Sequence, residues 1–192
     1  MLPPHAPPSF SDRSTLWNSV EQTEKSNNSQ LAREIELALP VELSREEQTR
    51  LVREYCSSQF VSKGMCADFN IHDTGSGNPH AHILLTMRPL DEKGAWAAKS
   101  KKEYVLDESG EKILLPSGRY KTRKIDLMDW NRQENADLWR KAWADMANDF
   151  LEQNGSAERI DHRSNAERGI DEIPTVHMGV AACQMEKKGI AT

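Results

Sequence analysis

At 192 residues the chain is long enough to bury one real core, and no apolar run approaches the roughly 20 residues that a membrane-spanning helix needs. A hydrophobic content of 37% with 29% charged residues suits a soluble protein. Cys56, Cys66 and Cys183 are too few and too scattered for a disulfide framework, so reduced thiols, a cytoplasmic location and no membrane insertion are expected. The formal net charge of −5 by itself argues against nucleic acid, but residues 99–124 hold eight Lys/Arg against four acids, which leaves the remainder at −9. That segment reads either as a patch that tracks phosphates or as a solvated Lys-rich loop.

Four prolines in Met1–Phe10 mark an extended lead-in. A helix is predicted from Asp12 to Lys25, with Leu16, Trp17 and Val20 on one face. From Leu31 to Leu39 the residues alternate: Leu31, Arg33, Ile35, Leu37 and Leu39 share one side, Glu34 and Glu36 project from the other, and Pro40 ends the strand. Ser44 with Glu47 forms a capping box for a helix carrying Leu51, Val52, Tyr55, Cys56 and Phe60, which Gly64 stops. Met65–His72 and His80–Met87 are two further alternating strands joined by the loop formers Asp73–Pro79. After Pro89 the chain is charged and irregular, an insert at 91–124 with a small hairpin at Val105–Leu115 around Glu108-Ser109-Gly110. A long helix begins near Asp129, and Trp139, Trp143, Met146 and Phe150 recur at helical spacing, which predicts core packing for the tryptophans. Gly155 caps it, and residues 165–192 read as an irregular tail on a single domain spanning 1–192.

Half of the six histidines fall within eleven residues. Across a hairpin with a seven-residue loop, His72 and His80 face each other. His82 lies two residues further along the same face, about 6.5–7 Å by strand rise. The apolar residues of both strands take the opposite face, so the three imidazoles converge on a divalent-metal site with open coordination positions, which suits catalysis more than structure. Asp68, Asp73 and Asn70 are candidates to orient the rings, as are Glu34 and Glu36 if their strand pairs beside the hairpin. Cys66 reads as a small buried hydrophobe. His162 could contact phosphate, with Arg163 as the stronger phosphate partner, or be a buried structural residue. His5 and His177 carry no signal.

The string His72-Asp73 followed by Gly77-Asn78-Pro79-His80-Ala81-His82-Ile83-Leu84-Leu85-Thr86 resembles the third motif of MobA/MobL-type relaxases, the plasmid-mobilisation nickases within the His-hydrophobe-His endonuclease group. Leu31–Pro40 resembles the family's characteristic strand, Trp17–Glu21 the helix before it, and Ile160–Ser164 a downstream segment, so the likeness runs from residue 10 to about 180. It implies an α+β fold, a ferredoxin-like antiparallel sheet with flanking helices and the histidine hairpin at its centre. It also implies that His72, His80 and His82 hold Mg²⁺ or Mn²⁺, with Zn²⁺ as a further option. The ion would polarise the scissile phosphate of single-stranded DNA at a transfer origin while a tyrosine hydroxyl attacks to form a 5′-phosphotyrosine. Relaxosome accessory proteins would be further partners. Lys99, Lys101, Lys102, Arg119, Lys121, Arg123, Lys124 and Arg163 are the expected DNA contacts.

The family's nucleophilic tyrosine lies in an N-terminal segment before the Pro-rich lead-in. Tyr55, Tyr104 and Tyr120, the tyrosines of this sequence, do not match that motif. The expectation is therefore an N-terminally truncated relaxase, inactive as given for want of its nucleophile. Two other function classes compete with it. One is a metal-dependent hydrolase in which the histidine site activates water and Glu34 or Glu36 is the base; the other is a non-catalytic single-stranded DNA binder using Lys99–Lys124.

Overall fold

The computed structural model describes residues 1–190 apart from Thr74, Ser76 and residues 173–178. Two turn positions and His177 therefore lie outside the described residues. The chain divides into two compact units, Met1–Ile160 and Asp161–Thr192.

In the first unit, the three alternating segments become strands β1 (Ala32–Ala38), β2 (Ala67–His72) and β3 (His80–Thr86), paired antiparallel in the order β1-β3-β2. Their registers set one face apolar. Ile35, Ile83 and Phe69 lie side by side, followed by Leu37, Ala81 and Ile71. Helices α2 (Arg45–Gln59) and α3 (Glu134–Gln153) supply the rest of the core against this face. In α2, Leu51, Val52, Tyr55 and Cys56 are fully buried, the helical spacing of a single apolar stripe. Ser44 caps this helix by accepting from the Glu47 N–H at 3.2 Å, and Gly64 leaves the following turn at φ +93°, which a side chain would resist. Trp139 and Trp143 of α3 pack edge-on against Phe60 and Tyr55, with ring centroids 5.3 and 5.2 Å apart. The tryptophans are core, as their spacing predicts.

The opposite face is only partly covered. Helix α1 (Arg13–Thr23) sits over one end of it, where Leu16 joins Phe10, Cys66 and Leu90 in a second buried cluster. Phe10 stacks on Trp96 at 5.4 Å. The far end of that face, carrying Asn70, His72, His80 and His82, is left open. The architecture is thus α+β, an antiparallel sheet with flanking helices, as expected; of the two strands of the histidine hairpin, β3 is central and β2 lies at an edge.

The charged insert departs from the irregular reading. Ser100–Tyr104 (β4) and Thr122–Asp126 (β5) pair antiparallel as the stem of a hairpin. At its tip three short arms meet in a ring of hydrogen bonds: Val105 N–H to the Lys121 carbonyl, Lys121 N–H to that of Ile113, and Ile113 N–H to that of Val105, at 2.8–3.1 Å. Turns at Asp107–Glu111 and Leu115–Arg119 close two of the arms. The stem is solvated on both faces, so no apolar alternation announces it. The base of the hairpin is tied down by Glu24, whose carboxylate takes Lys99 Nζ at 2.7 Å and Arg88 Nη2 at 3.1 Å with only 7% of its side chain exposed.

In the second unit, the tail read as irregular contains a helix, α4 (Gly179–Lys187). Arg163 forks onto Asp161, at 3.0 Å to Oδ1 and 2.7 Å to Oδ2, and holds that carboxyl well below the usual range. The neighbouring His162 is exposed, which corrects the buried alternative.

Candidate metal centre

Pro79 is buried, and its carbonyl accepts from the Leu39 N–H at 2.9 Å, so the return strand enters beside the end of β1. Gly75 and Gly77 turn the loop at φ +73° and +81°. This brings His72 directly opposite His80 in the β2–β3 register, with His82 opposite Asn70. The three rings then lie with centroids 4.7–5.5 Å apart, and one ligand nitrogen from each falls within 4.8 Å of the others.

Two of the rings have their hydrogens assigned by their surroundings. His80 Nδ1 lies 3.0 Å from the Asn78 carbonyl oxygen, and His82 Nδ1 lies 2.8 Å from Glu34 Oε1. A carbonyl and a carboxylate accept, so each Nδ1 carries a hydrogen, and in the neutral imidazole each Nε2 then presents a bare lone pair. That is the tautomer a metal ligand needs, and a divalent ion fits this donor set. Nitrogens about 2.1 Å from a shared ion stand roughly 3–3.5 Å apart, so a small rotation of these partly exposed rings would close the cluster. His72 is exposed at the mouth of the loop.

The other predicted residues divide. Glu34 orients His82, and Glu36 stands directly opposite His82 in the β1–β3 register, exposed and without a hydrogen-bond partner among the described residues. Asp68 is drawn elsewhere: its Oδ2 accepts from Arg13 Nε at 2.7 Å and Trp17 Nε1 at 3.0 Å. Asp73 accepts from the Gly75 N–H at 2.9 Å and shapes the turn instead of a ring. The Asn78 carbonyl, which positions His80, carried no side-chain signal in the sequence; only its place two residues before a ligand could have marked it. Burial pushes the Cys66 thiol up to about 11, in keeping with a small core residue.

Of the expected DNA contacts, Lys101 and Arg123 both pair with Glu103, Lys124 pairs with Asp126, and Lys99 is committed to Glu24. Lys102, Arg119 and Lys121 are exposed and form no ion pair among the described residues. Arg163 belongs to the second unit. Tyr55 is wholly buried and donates to the Trp139 carbonyl at 3.0 Å, and burial raises its pKa. A hydroxyl in that position cannot reach a phosphate. Tyr104 and Tyr120 are half-exposed at the hairpin tip.

The sequence model of the MobA/MobL family matches residues 1–188. The probable mobilization protein MobA of Bifidobacterium longum is 36% identical, over 98% of this chain and 36% of its own length. The conjugal transfer protein TraA of Agrobacterium fabrum is 39% identical, over 90% of this chain and 15% of its own. Mobilization protein A of Escherichia coli is 34% identical, over 96% of this chain and 25% of its own. The chain thus spans between 15% and 36% of the length of these three relatives. A solved chain described as "Molecular Basis of Vancomycin Resistance Transfer in Staphylococcus aureus" superposes with a TM-score of 0.69 at 35% identity, over 85% of this chain and 73% of that one. No described helix is long and apolar enough to cross a membrane. Matched over nearly its whole length, and carrying the histidine hairpin on an open sheet face, the chain belongs to the MobA/MobL family.

Proposed function

We propose that the chain is a DNA relaxase module for plasmid mobilisation, which nicks single-stranded DNA at a transfer origin by transesterification. The observation that carries this reading is the cluster of His72, His80 and His82 on the uncovered end of the sheet, with two of its rings held as Nε2 donors. The three imidazoles would hold Mg²⁺ or Mn²⁺, with Zn²⁺ as the alternative. When bound, such an ion supplies positive charge to the non-bridging oxygens of the scissile phosphate. The protein's own part is to keep the imidazoles aimed, with Nδ1 engaged and Nε2 left for the ion. Glu34 and the Asn78 carbonyl do this for His82 and His80, and the open face admits an extended strand of DNA.

In this reading the attacking group is a tyrosine that the family resemblance places in a segment preceding the Pro-rich lead-in. Its hydroxyl oxygen bonds to phosphorus as the bond from phosphorus to the 3′ oxygen breaks; the tyrosine loses its proton and the 3′ oxygen gains one. The 5′-phosphotyrosine keeps the energy of the broken bond, so the strand is rejoined by the reverse attack without a nucleotide cofactor. The outer edge of β2 supports a place for the donor segment. Met1 pairs there with Ala67, Arg45 caps the Ile71 carbonyl, and no other strand among the described residues pairs along it. A strand added at this edge would run beside His72. Lys102, Arg119 and Lys121 of the hairpin are the proposed phosphate contacts.

The test is an oligonucleotide nicking assay with Mn²⁺, comparing this chain with a version extended upstream by one strand and helix. Denaturing gels detect a covalent adduct. An adduct with the extended protein that His80→Ala abolishes is the expected result. Cutting by the chain alone without an adduct would replace the tyrosine with a metal-activated water, for which Glu36 is the free base. Absence of any cleavage by the extended protein sinks the relaxase reading.

A further inference from the structure

The tip of the β4–β5 hairpin carries an unusual group of side chains. Each member of its hydrogen-bonded ring, Val105, Ile113 and Lys121, is preceded by a larger residue: Tyr104, Lys112 and Tyr120. The threefold closure of the backbone brings these three together. Lys112 Nζ sits 4.0 Å from the centre of the Tyr104 ring and 5.6 Å from that of Tyr120, and the two rings stand 5.9 Å apart at 83°. Both tyrosines are 50% exposed, so neither ring is used to fill a core.

The register extends this face down the stem. Tyr104 lies opposite Thr122, and one repeat below it Lys102 lies opposite Lys124. Residues two apart share a face, so Lys102 lies below Tyr104 at about 6.5–7 Å by strand rise, with Lys124 beside it on the partner strand. Leu106 and Leu114 flank the rings, 54% and 61% exposed. The nearby Asp107 carboxylate turns back onto the backbone N–H groups of Ser109 and Glu111. Lys102 and Lys112 have no carboxylate partner among the described residues, while Lys124 has Asp126. Aromatic faces interleaved with unneutralised ammonium groups fit a ligand that offers flat rings and negative charge in alternation.

We propose that Tyr104 and Tyr120 form a stacking platform for unpaired bases of single-stranded DNA, with Lys112 between them contacting phosphate. This rests on the reading of the chain as a DNA-processing module and names where the strand is held away from the histidines. A base-paired duplex does not suit the platform, because its bases already stack on each other. The cation–π contact holds Lys112 over the Tyr104 ring before DNA arrives, which reduces the ordering needed on binding. The tip works as a sequence-tolerant clamp, since every base has a π face.

The experiment is fluorescence anisotropy with a 5′-labelled oligo-dT and a duplex of equal length, using the full chain in the presence of EDTA so that metal chemistry plays no part. Tyr104→Ala and Tyr120→Ala should each weaken single-strand binding about 5- to 20-fold, the low end of the range for loss of one base stack. Tyr104→Phe and Tyr120→Phe, which keep the ring, should bind as the parent does. Lys112→Ala should flatten the salt dependence of log K by about 0.7, the value for one phosphate contact on a single strand. An oligonucleotide bearing 5-iododeoxyuridine should photo-crosslink to Tyr104 or Tyr120, as mapped by mass spectrometry. Alanine variants that bind like the parent overturn the platform, as does an equal loss for single strand and duplex. If those variants bind normally while the extended protein still forms a His80-dependent adduct, the platform alone is wrong. If ring-dependent binding holds and no adduct forms, the platform stands and the nicking assignment falls.

Discussion

The contact between Glu34 and His82 offers the sharpest test of the metal centre. Removing the carboxylate with Glu34→Ala leaves His82 free to rotate and to move its hydrogen to Nε2, the nitrogen that must stay bare. Partners of this kind contribute about 10- to 100-fold to metal affinity. Here the pair is half open to water, with 59% of the Glu34 side chain and 28% of His82 exposed. Solvent screening therefore places the effect at the lower bound, about tenfold or 1.4 kcal/mol. Glu34→Gln keeps an acceptor for Nδ1–H but loses the charge, so it should fall in between, at about threefold. Glu36→Ala is the control, because that carboxylate has no partner among the described residues. Titration calorimetry with Mn²⁺ at near-neutral pH reads all three. Equal affinity for the Glu34→Ala variant and the parent would refute the orienting role, and so would an equal loss in Glu36→Ala.

Other regions give independent tests. Burial by itself raises the pKa of Glu24, but hydrogen bonds from Lys99 and Arg88 outweigh it and hold the carboxyl below its ordinary value. Glu24→Gln should therefore cost about 2–3 kcal/mol near neutral pH, since it strands two partly buried cations. Because the folded pKa is depressed, that contribution is complete above the unfolded value of about 4.3 and is lost as pH falls through the folded one. Urea titrations should show the gap between variant and parent shrinking below about pH 4, and a constant gap would contradict the ion-pair account. Tyr55→Phe removes one buried hydrogen bond and should lower stability by about 0.5–1.5 kcal/mol in the same assay. Adduct formation by the extended protein should not change, and its loss would make Tyr55 the nucleophile after all. A Cβ on Gly94, at φ +77°, would lie 2.9 Å from the His5 carbonyl oxygen and 3.1 Å from Pro7 Cδ. Gly94→Ala should cost about 2 kcal/mol or more and speed proteolysis of the lead-in; a fully stable variant would rule out this packing.

The sheet was legible because one of its faces is buried and the other is not. Ile71 and Ile83 alternate with His72 and His82 in the sequence for the same reason that they lie on opposite faces of the fold. Burial of Leu51, Val52 and Tyr55 likewise left a helical stripe to read. The hairpin at 100–126 escaped because Lys101, Lys102, Arg123 and Lys124 are solvated on both faces, so backbone hydrogen bonds and the cross-strand Arg123–Glu103 pair hold the strands without an apolar face. Alternation also misled at Asp68. It shares a face with His72, but four residues of strand separate them, and α1 reaches it first through Arg13 and Trp17. Net charge was a poor guide to the basic segment, since most of the pairing to Glu24, Glu103 and Asp126 is visible only after folding.

The two strands of the histidine hairpin are not equivalent supports. His80 and His82 hang from β3, which is bonded to a neighbour on each side, whereas His72 ends β2 and opens directly onto the loop. The centre therefore resembles a vice with one jaw braced from both sides and one held from a single side, so a substitution that loosens the β2–β3 pairing should disturb the aim of His72 before that of His80 or His82.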